Sequence, residues 1–96
     1  KAIIKNTLTR EEKSIDIDGV FGYIGTEPKT DMFGKYINLT KNGYIITDEN
    51  MNTNIPGVYA AGDVREKLYR QITTAVADGT IAALEAEKFI ISNRSE

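Results

Sequence analysis

The longest regular pattern of apolar and polar positions lies near the carboxyl end of the chain and predicts a helix over about residues 71–91. Apolar and small residues recur there at spacings of three and four, as on one face of a helix, at Ile72, Ala75, Val76, Gly79, Ala83, Ala86 and Ile90. Asp78, Glu85 and Lys88 fall largely on the opposite face. We therefore expect close packing of the small-residue face, with Gly79 allowing a near approach to a sheet or another helix.

The first quarter of the chain shows the shorter repeats of β-strands. Residues 1–5 are apolar in the middle, and residues 13–18 alternate polar and apolar positions. Together these two stretches predict a β-hairpin. Residues 19–24 are more apolar and predict a third strand, which ends where Gly and Pro mark a turn at residues 25–28.

A second, smaller hairpin is predicted in the middle of the chain. Asn42 and Gly43 both tolerate the positive φ angles of a type I′ turn, the tightest connection between antiparallel strands. They separate two short stretches, residues 36–39 and residues 44–47. We expect these stretches to pair.

Two further stretches lack a clear period. Residues 31–36 fit either a short turn or a single helical turn with Met32 and Phe33 pointing inward. Residues 48–54 are polar and rich in turn-forming residues, which predicts a surface loop.

Residues 58–61 form a continuous apolar run and predict a strand covered on both faces, as in a parallel sheet. The chain offers only one other parallel partner, so we expect other residues to complete that sheet. In an open α/β sheet, ligands bind where the carboxyl ends of the strands open into loops. Gly62 permits close approach there, and Asp63 places a carboxylate at the mouth. By itself, Asp63 could equally cap the next turn.

The predicted helix start is unusual because no Ser, Thr, Asp or Asn precedes Gln71. The first N–H groups then lack a side-chain cap, unless the helix begins at Thr73 or Thr74. Such donors, at the positive end of the helix dipole, can bind an electron-rich ligand atom. Arg70 opposes the dipole, so it is either solvated or contacts a ligand or the loop. For residues 65–67 we expect mixed charges on an exposed loop.

Composition and length exclude several classes. A formal charge of −2 gives no case for binding nucleic acid or an anionic membrane, so neither is expected as a partner. With no Cys and no His, this chain cannot supply a CxxC pair, a Cys/His metal site or a Cys–His or Ser–His nucleophile.

The 96 residues of the chain allow one small, marginally stable domain, and the absence of an initial methionine favours a piece of a longer protein. No GxGxxG motif is present, since Gly19, Gly22 and Gly25 are spaced at three on a predicted strand.

Three stretches closely resemble the carboxyl-terminal FAD-binding segment of bacterial thioredoxin reductase. They are GVFGYIGTEPKT at 19–30, NGYIITDENMNTNIPGVYAAGD at 42–63 and VREKLYRQITTAVADGTIAALEAEKFI at 64–90. The resemblance implies an α/β fold that is part of a two-domain, Rossmann-like FAD/NAD(P)-binding flavoprotein. It also implies that residues 1–27 end the NADPH-binding domain and that residues 28–96 form the last part of the FAD-binding domain.

The same resemblance implies the site. In that family the residue equivalent to Asp63 hydrogen-bonds the ribityl chain of FAD, and backbone N–H groups near Gln71 and Ile72 meet the flavin's pyrimidine edge. The residues expected to bind FAD are Gly62, Asp63, Val64, Arg70, Gln71, Ile72 and Thr73. No catalytic residue and no metal ligand are expected in this chain.

The resemblance implies a role in redox homeostasis, in which NADPH reduces FAD, and FAD reduces a Cys pair that reduces thioredoxin. This chain alone should be inactive, because the Cys pair and the dinucleotide motifs lie elsewhere. The expected partners are the remainder of the parent chain, thioredoxin and a second copy in a homodimer, in the cytoplasm. Three alternatives stay open: a thioredoxin-reductase-like ferredoxin–NADP reductase, the flavoprotein reductase of a peroxiredoxin, and a cofactor-free folding fragment or interaction module.

Overall fold

The computed structural model describes residues 1–94, so the end of the predicted range 28–96 lies outside the described part. Five regular elements follow one another along residues 1–94. Strands β1 (Ala2–Lys5) and β2 (Glu12–Ile15) come first. Two single-turn 3-10 helices follow, at Asp31–Phe33 and Gly62–Val64. The last element is helix α1 (Ile72–Asn93).

The hairpin predicted at the start of the chain is confirmed. β1 and β2 pair antiparallel, with Ala2 opposite Ile15 and Lys5 opposite Glu12. The side chain of Asn6 accepts hydrogen bonds from two backbone N–H groups of the connecting turn, at 2.8 and 3.0 Å. The second strand is shorter than predicted, because it ends at Ile15 rather than at residue 18.

The strand predicted at residues 19–24 is wrong for this structure. Its side chains project from the chain, and Phe21, Tyr23 and Ile24 are 86, 92 and 100% exposed. A strand is stable only when its backbone N–H and C=O groups find a neighbouring strand. None of the described residues 1–94 supplies such a neighbour for this stretch.

The chain is elongated rather than one compact domain. Its extents are 71 × 27 × 20 Å and its radius of gyration is 20.4 Å, whereas a compact domain of this length has about 12 to 13 Å. Within residues 1–94, the hairpin packs against no other regular element. The buried residues all lie from Thr30 onward, so residues 28–94 hold the core.

Ile45 is at the centre of that core and is 5% exposed. It forms isolated bridges to Leu39 on one side and to Arg65 on the other. Its N–H donates to the Val64 C=O at 2.9 Å, and its C=O accepts from the Glu66 N–H at 2.8 Å. The second predicted hairpin is thus reduced to a single bridge, and the same residue ties it to the segment after Gly62.

The turn of this hairpin differs from the type I′ turn that we expected. The Thr40 N–H donates to the Tyr44 C=O at 2.8 Å, and the Gly43 N–H donates to the Thr40 C=O at 3.0 Å. Gly43 has a φ of +84°, and Asn42 is not among the residues with positive φ. This is a three-residue loop with one left-handed residue at its end, and only that position needs glycine.

The 3-10 turn Asp31–Phe33 matches the helical-turn alternative for residues 31–36, but its side chains are exposed. Met32 and Phe33 are 70 and 43% exposed, so the inward orientation predicted for them is wrong. Thr30 is buried instead, at 1% exposure, and its hydroxyl donates to the Gly43 C=O. The hydroxyl fits an interior position because it satisfies a backbone carbonyl there.

Residues 58–61 form one bridge rather than the buried strand that was predicted. Tyr59 pairs antiparallel with Asn52, and the Ala60 N–H donates to the Met51 C=O at 3.1 Å. Val58 is 37% exposed, since no strand among residues 1–94 covers its other side. The predicted surface loop contributes an unexpected core residue, because Met51 is only 2% exposed.

Helix α1 begins one residue later and ends two residues later than predicted. Its inward face shares only Ala75 and Ala86 with the predicted stripe. The other half-buried or buried residues of the helix are Thr74, Asp78, Ile81, Ala82 and Glu85. Ile72 and Val76 are 84 and 65% exposed. A Cβ at Gly79 would meet no described atom within 4 Å, so the close packing predicted there is wrong. No helix in the described part of the chain has the length and apolar character needed to cross a membrane.

The close approach to the helix occurs at Gly57 instead. Gly57 has a φ of +79°, and a Cβ built on it would lie 2.7 Å from the ring of Phe89. Nearby, the Tyr59 hydroxyl donates to the Glu85 C=O at 3.2 Å. Together these contacts hold the second half of α1 against the segment that leads to Gly62.

Candidate functional site

The candidate site lies where the 3-10 turn Gly62–Val64 meets the first turns of α1. This part of the fold, residues 62–78 and the side chains that contact them, is called the corner. Gly62 has a φ of +82°, and a Cβ on it would lie 3.6 Å from the Ala75 Cβ. The positive φ explains why glycine occupies this position. Its N–H donates to Asp78 Oδ2 at 3.0 Å, so the turn is fixed to the helix directly.

Asp78 joins the loop after this turn to the helix through two ion pairs. Its Oδ2 accepts from Lys67 Nζ at 2.7 Å, and its Oδ1 accepts from Arg65 Nη1 at 3.1 Å. Asp78 is 6% exposed, and the side chains of Arg65 and Lys67 are 13 and 10% exposed. The predicted loop of exposed mixed charges is therefore wrong for Arg65 and Lys67, because a buried carboxylate draws them inward.

Asp78 is ionised at neutral pH despite its burial. Burial raises the pKa of a carboxyl group, but the hydrogen bonds from Lys67, the Gly62 N–H and Arg65 outweigh this effect and hold the pKa of Asp78 below its ordinary value. A buried charge is tolerated only when it is paired in this way. The charged cluster is thus a fixed part of the corner.

Arg65 extends the same cluster to a third segment. Its Nε donates to Thr47 Oγ1 at 2.8 Å, and its Nη2 donates to the Asp48 C=O at 3.3 Å. One guanidinium group therefore bridges the end of the small hairpin, the loop and α1.

Asp63 is the predicted ligand whose side chain stays open. The residue is exposed, and its carboxylate accepts no hydrogen bond from any residue between 1 and 94. The alternative, in which the side chain caps the following turn, is not what the structure shows. Its backbone C=O is used, since it accepts from Arg70 Nε at 3.2 Å.

Arg70 closes the loop rather than extending into solvent. Its guanidinium carbon lies 3.8 Å from the centre of the Tyr44 ring, in a cation–π arrangement. Its Nη2 also donates to the Arg65 C=O at 3.4 Å. The two ends of the loop, at Asp63 and Arg70, are therefore joined beside the small hairpin.

The start of α1 offers two open backbone donors. Gln71 is extended, at φ −140° and ψ 158°, and its N–H donates to Thr74 Oγ1 at 3.1 Å. The N–H groups of Ile72 and Thr73 have no acceptor among residues 1–94. These donors carry the positive end of the helix dipole and suit an electron-rich or anionic ligand atom.

The seven predicted residues thus share one corner but divide by role. The Asp63 carboxylate and the N–H groups of Ile72 and Thr73 are open. The Val64 C=O is taken by the Ile45 N–H. The other three are Gly62, Arg70 and Gln71. Their hydrogen bonds hold the loop and the helix start in place. That these residues bind a cofactor stays a prediction.

Sequence reasoning missed Asp78 and Tyr44 as parts of this corner. The signal for Asp78 was available, since it lies three residues from both Ala75 and Ile81 on the face that turns inward. Tyr44 carried no signal beyond its place after the Asn42–Gly43 turn. Two cavities flank the corner: a groove of about 680 Å³ between Pro28 and Tyr44, which includes none of the seven residues, and an apolar one of about 330 Å³ beside Lys67 and Asp78.

Comparison with known proteins connects this corner to a family. The sequence model described as Pyridine nucleotide-disulphide oxidoreductase matches residues 1–79, which include the hairpin and every residue of the candidate site. A protein of Clostridium pasteurianum, described as a 34.2 kDa protein in rubredoxin operon, is 61% identical over 90 residues, which cover 94% of this chain and 29% of that protein. A thioredoxin reductase of Peptoclostridium acidaminophilum is 50% identical over 99% of this chain and 32% of its own length.

A solved structure agrees with these relatives. The thioredoxin reductase of Lactococcus lactis superposes with a TM-score of 0.75 at 46% identity, over 94% of this chain and 30% of that chain. The chain thus spans less than a third of the length of the curated relatives that it matches, 29 and 32% for the two named above.

Proposed function

The chain belongs to the pyridine nucleotide-disulphide oxidoreductase family, and from this we propose that it forms the carboxyl-terminal part of an NADPH-dependent thioredoxin-disulfide reductase that contains FAD. The similarity to proteins named thioredoxin reductase, over nearly the whole chain, supports this function. Because the chain has no Cys, the redox-active Cys pair must lie in the rest of the longer protein. The chain alone is expected to be inactive.

The observation that carries the proposal is the set of open groups in one corner. FAD presents sugar-like hydroxyl donors along its ribityl chain and acceptor atoms at its pyrimidine edge. A free carboxylate accepts hydrogen bonds and suits the hydroxyl groups, and free N–H groups suit the acceptors. Asp63 and the helix start at Ile72 and Thr73 supply this combination, so the residues present fit the cofactor. When bound, FAD supplies the electron carrier between NADPH and the disulfide.

The remaining predicted residues hold these groups in place. Gly62 turns the chain and anchors it to α1, and Val64 pairs with Ile45. Arg70 links the loop to the Tyr44 ring, and Gln71 sets the first turn of the helix. We assign all four to the FAD site as loop and helix-start residues.

We further propose two domains. Residues 1–27 would belong to the NADPH-binding domain and residues 28–96 to the FAD-binding domain. The separation of the hairpin from the core that begins at Thr30 supports this division. The exposed apolar residues at 19–24 support packing against the rest of the longer chain, as an isolated module would leave them in water.

Thioredoxin is the proposed protein substrate, the proposed assembly is a homodimer, and the proposed location is the cytoplasm. The relatives named thioredoxin reductase support this substrate over the ferredoxin and peroxiredoxin alternatives. No feature of this chain favours either the ferredoxin or the peroxiredoxin alternative.

The test uses the intact gene product that contains this chain. We expect it to purify with bound flavin, visible near 450 nm, and to reduce thioredoxin with NADPH. Asp63→Ala should weaken FAD binding, whereas Glu66→Ala, which removes an exposed carboxylate three residues away, should not. An intact protein that takes up no flavin, or that reduces ferredoxin and not thioredoxin, would contradict the proposal.

A further inference from the structure

The corner contains one buried acidic side chain that belongs to none of the predicted cofactor contacts. Asp78 is 6% exposed. Its two oxygens accept from the Gly62 N–H, Arg65 and Lys67 at 3.0, 3.1 and 2.7 Å. A buried carboxylate with three charge-assisted or backbone partners is costly to assemble, because each group loses its water. A simple packing role would be filled at lower cost by an apolar residue.

The partners of Asp78 lie at defined places around the open groups. Gly62 directly precedes Asp63, so the bond to its N–H fixes the residue next to the free carboxylate. Arg65 and Lys67 lie between Asp63 and Arg70, and their ion pairs hold the middle of the loop. The loop is thus attached to the helix before and after Asp63.

Asp78 is also part of the rigid element that carries the open donors. It lies six residues after Ile72 in the same helix, about 9 Å along the axis. The N–H groups of Ile72 and Thr73 and the anchor for the Asp63 loop therefore move together. This connection sets the spacing between the carboxylate on the loop and the donors at the helix start.

We propose that Asp78 is a positioning residue for the flavin, which acts by fixing Asp63 relative to the start of α1 without touching the cofactor. This inference rests on the proposed function. A FAD molecule that contacts both groups requires them at one separation, and preorganisation of that separation raises affinity because it is not paid for on binding. Loss of the anchor should therefore appear as weaker FAD binding.

The test compares variants of the intact gene product by their FAD dissociation constants, measured by adding FAD to the stripped protein. Asp78→Asn keeps the shape and an acceptor for the Gly62 N–H but removes the charge that holds Arg65 and Lys67. We expect its dissociation constant to rise about tenfold, because the charge that holds both Arg65 and Lys67 is lost. Asp78→Glu restores the charge and should recover part of the affinity.

Met51→Ala is the structural control, because it removes a 2% exposed core side chain that forms none of the hydrogen bonds or ion pairs of the loop. Compared at a temperature where both variants are folded, it should leave the dissociation constant unchanged. If Asp78→Asn does not fold, Lys67→Met removes one of the three contacts and should still raise the constant about threefold.

Three results would overturn the inference. An unchanged dissociation constant in folded Asp78→Asn, or in Lys67→Met where only that variant folds, refutes positioning and leaves the proposed function intact. An equal rise in Met51→Ala shows that the effect is general destabilisation. A wild-type protein that binds no FAD removes the proposed function, and this inference with it.

Discussion

Two glycine-to-alanine substitutions should change stability in opposite directions, and the structure gives the reason for each sign. At Gly57 an added methyl group would lie 2.7 and 2.9 Å from two ring atoms of Phe89, at a φ of +79°. At Gly79 the same methyl group would meet no described atom within 4 Å, in the interior of a helix. The periodicity of the sequence predicted the close contact at Gly79.

The magnitude at Gly57 has three parts. A left-handed conformation costs an L-residue about 1–2 kcal/mol. Phe89 is 39% exposed, so turning its ring out of the way loses about 1–2 kcal/mol of buried apolar area. The lower entropy of the unfolded alanine chain returns about 0.4–1 kcal/mol. Gly57→Ala should therefore destabilise by about 1–3.6 kcal/mol. Gly79→Ala should stabilise by about 1 kcal/mol because alanine favours helix.

The assay is urea unfolding of the intact gene product, followed by circular dichroism at 222 nm. The unfolding free energies of the variants are compared with the same dependence on urea concentration for each. The double variant Gly57→Ala with Phe89→Ala isolates the ring contact, since removing the ring should leave only the backbone cost of Gly57→Ala. A destabilising Gly79→Ala, or a Gly57→Ala without effect, would refute the packing described here and support the face predicted from periodicity.

Two other predictions concern the corner. The pKa of Asp78 lies below its ordinary value of 3.8 in the folded state. Its ionisation therefore stabilises the fold above that pH, and this contribution is lost as the pH falls through the folded pKa. Urea midpoints measured from pH 7 to pH 3 should fall more steeply in the wild type than in Asp78→Asn, because the asparagine has no carboxylate charge that protonation could remove. Tyr44→Leu should weaken the closure of the loop by about 0.5–2 kcal/mol through the lost cation–π contact, while Tyr44→Phe keeps the ring and should change little. The measurement is hydrogen exchange of the Glu66 amide, which donates to the Ile45 C=O at 2.8 Å, and equal effects in the two variants would exclude the cation–π contact as the cause.

The elements that the sequence predicted well are those built from local contacts. The hairpin β1–β2 and helix α1 depend on residues close in the chain, and both were placed to within a few residues. Residues 19–24 and 58–61 have the composition of strands, but a strand needs a neighbour that the same stretch cannot encode. Their apolar character was visible, and their pairing was not.

The inward face of α1 shows a different limit. Periodicity identified an apolar stripe through Ile72 and Val76 and placed the carboxylate of Asp78 largely on the opposite face. The orientation depends instead on Arg65 and Lys67, which lie 13 and 11 residues earlier and compensate that charge. For the candidate site, the resemblance identified the corner and its seven residues. The cluster of Asp78, Arg65 and Lys67 that holds the corner together could be recognised only in the three-dimensional structure.

The short sequence separation of the Asp78 contacts bears on how the protein folds. Gly62, Arg65 and Lys67 lie 16, 13 and 11 residues from Asp78, and loops of about 10 residues close in roughly 10–100 ns. The entropy lost in such closures grows only slowly with length. This corner can therefore assemble as a local unit once α1 has formed, while the apolar stretch at 19–24 waits for contacts from farther away. The proposed flavin site would then be among the earliest parts of the protein to acquire its native shape.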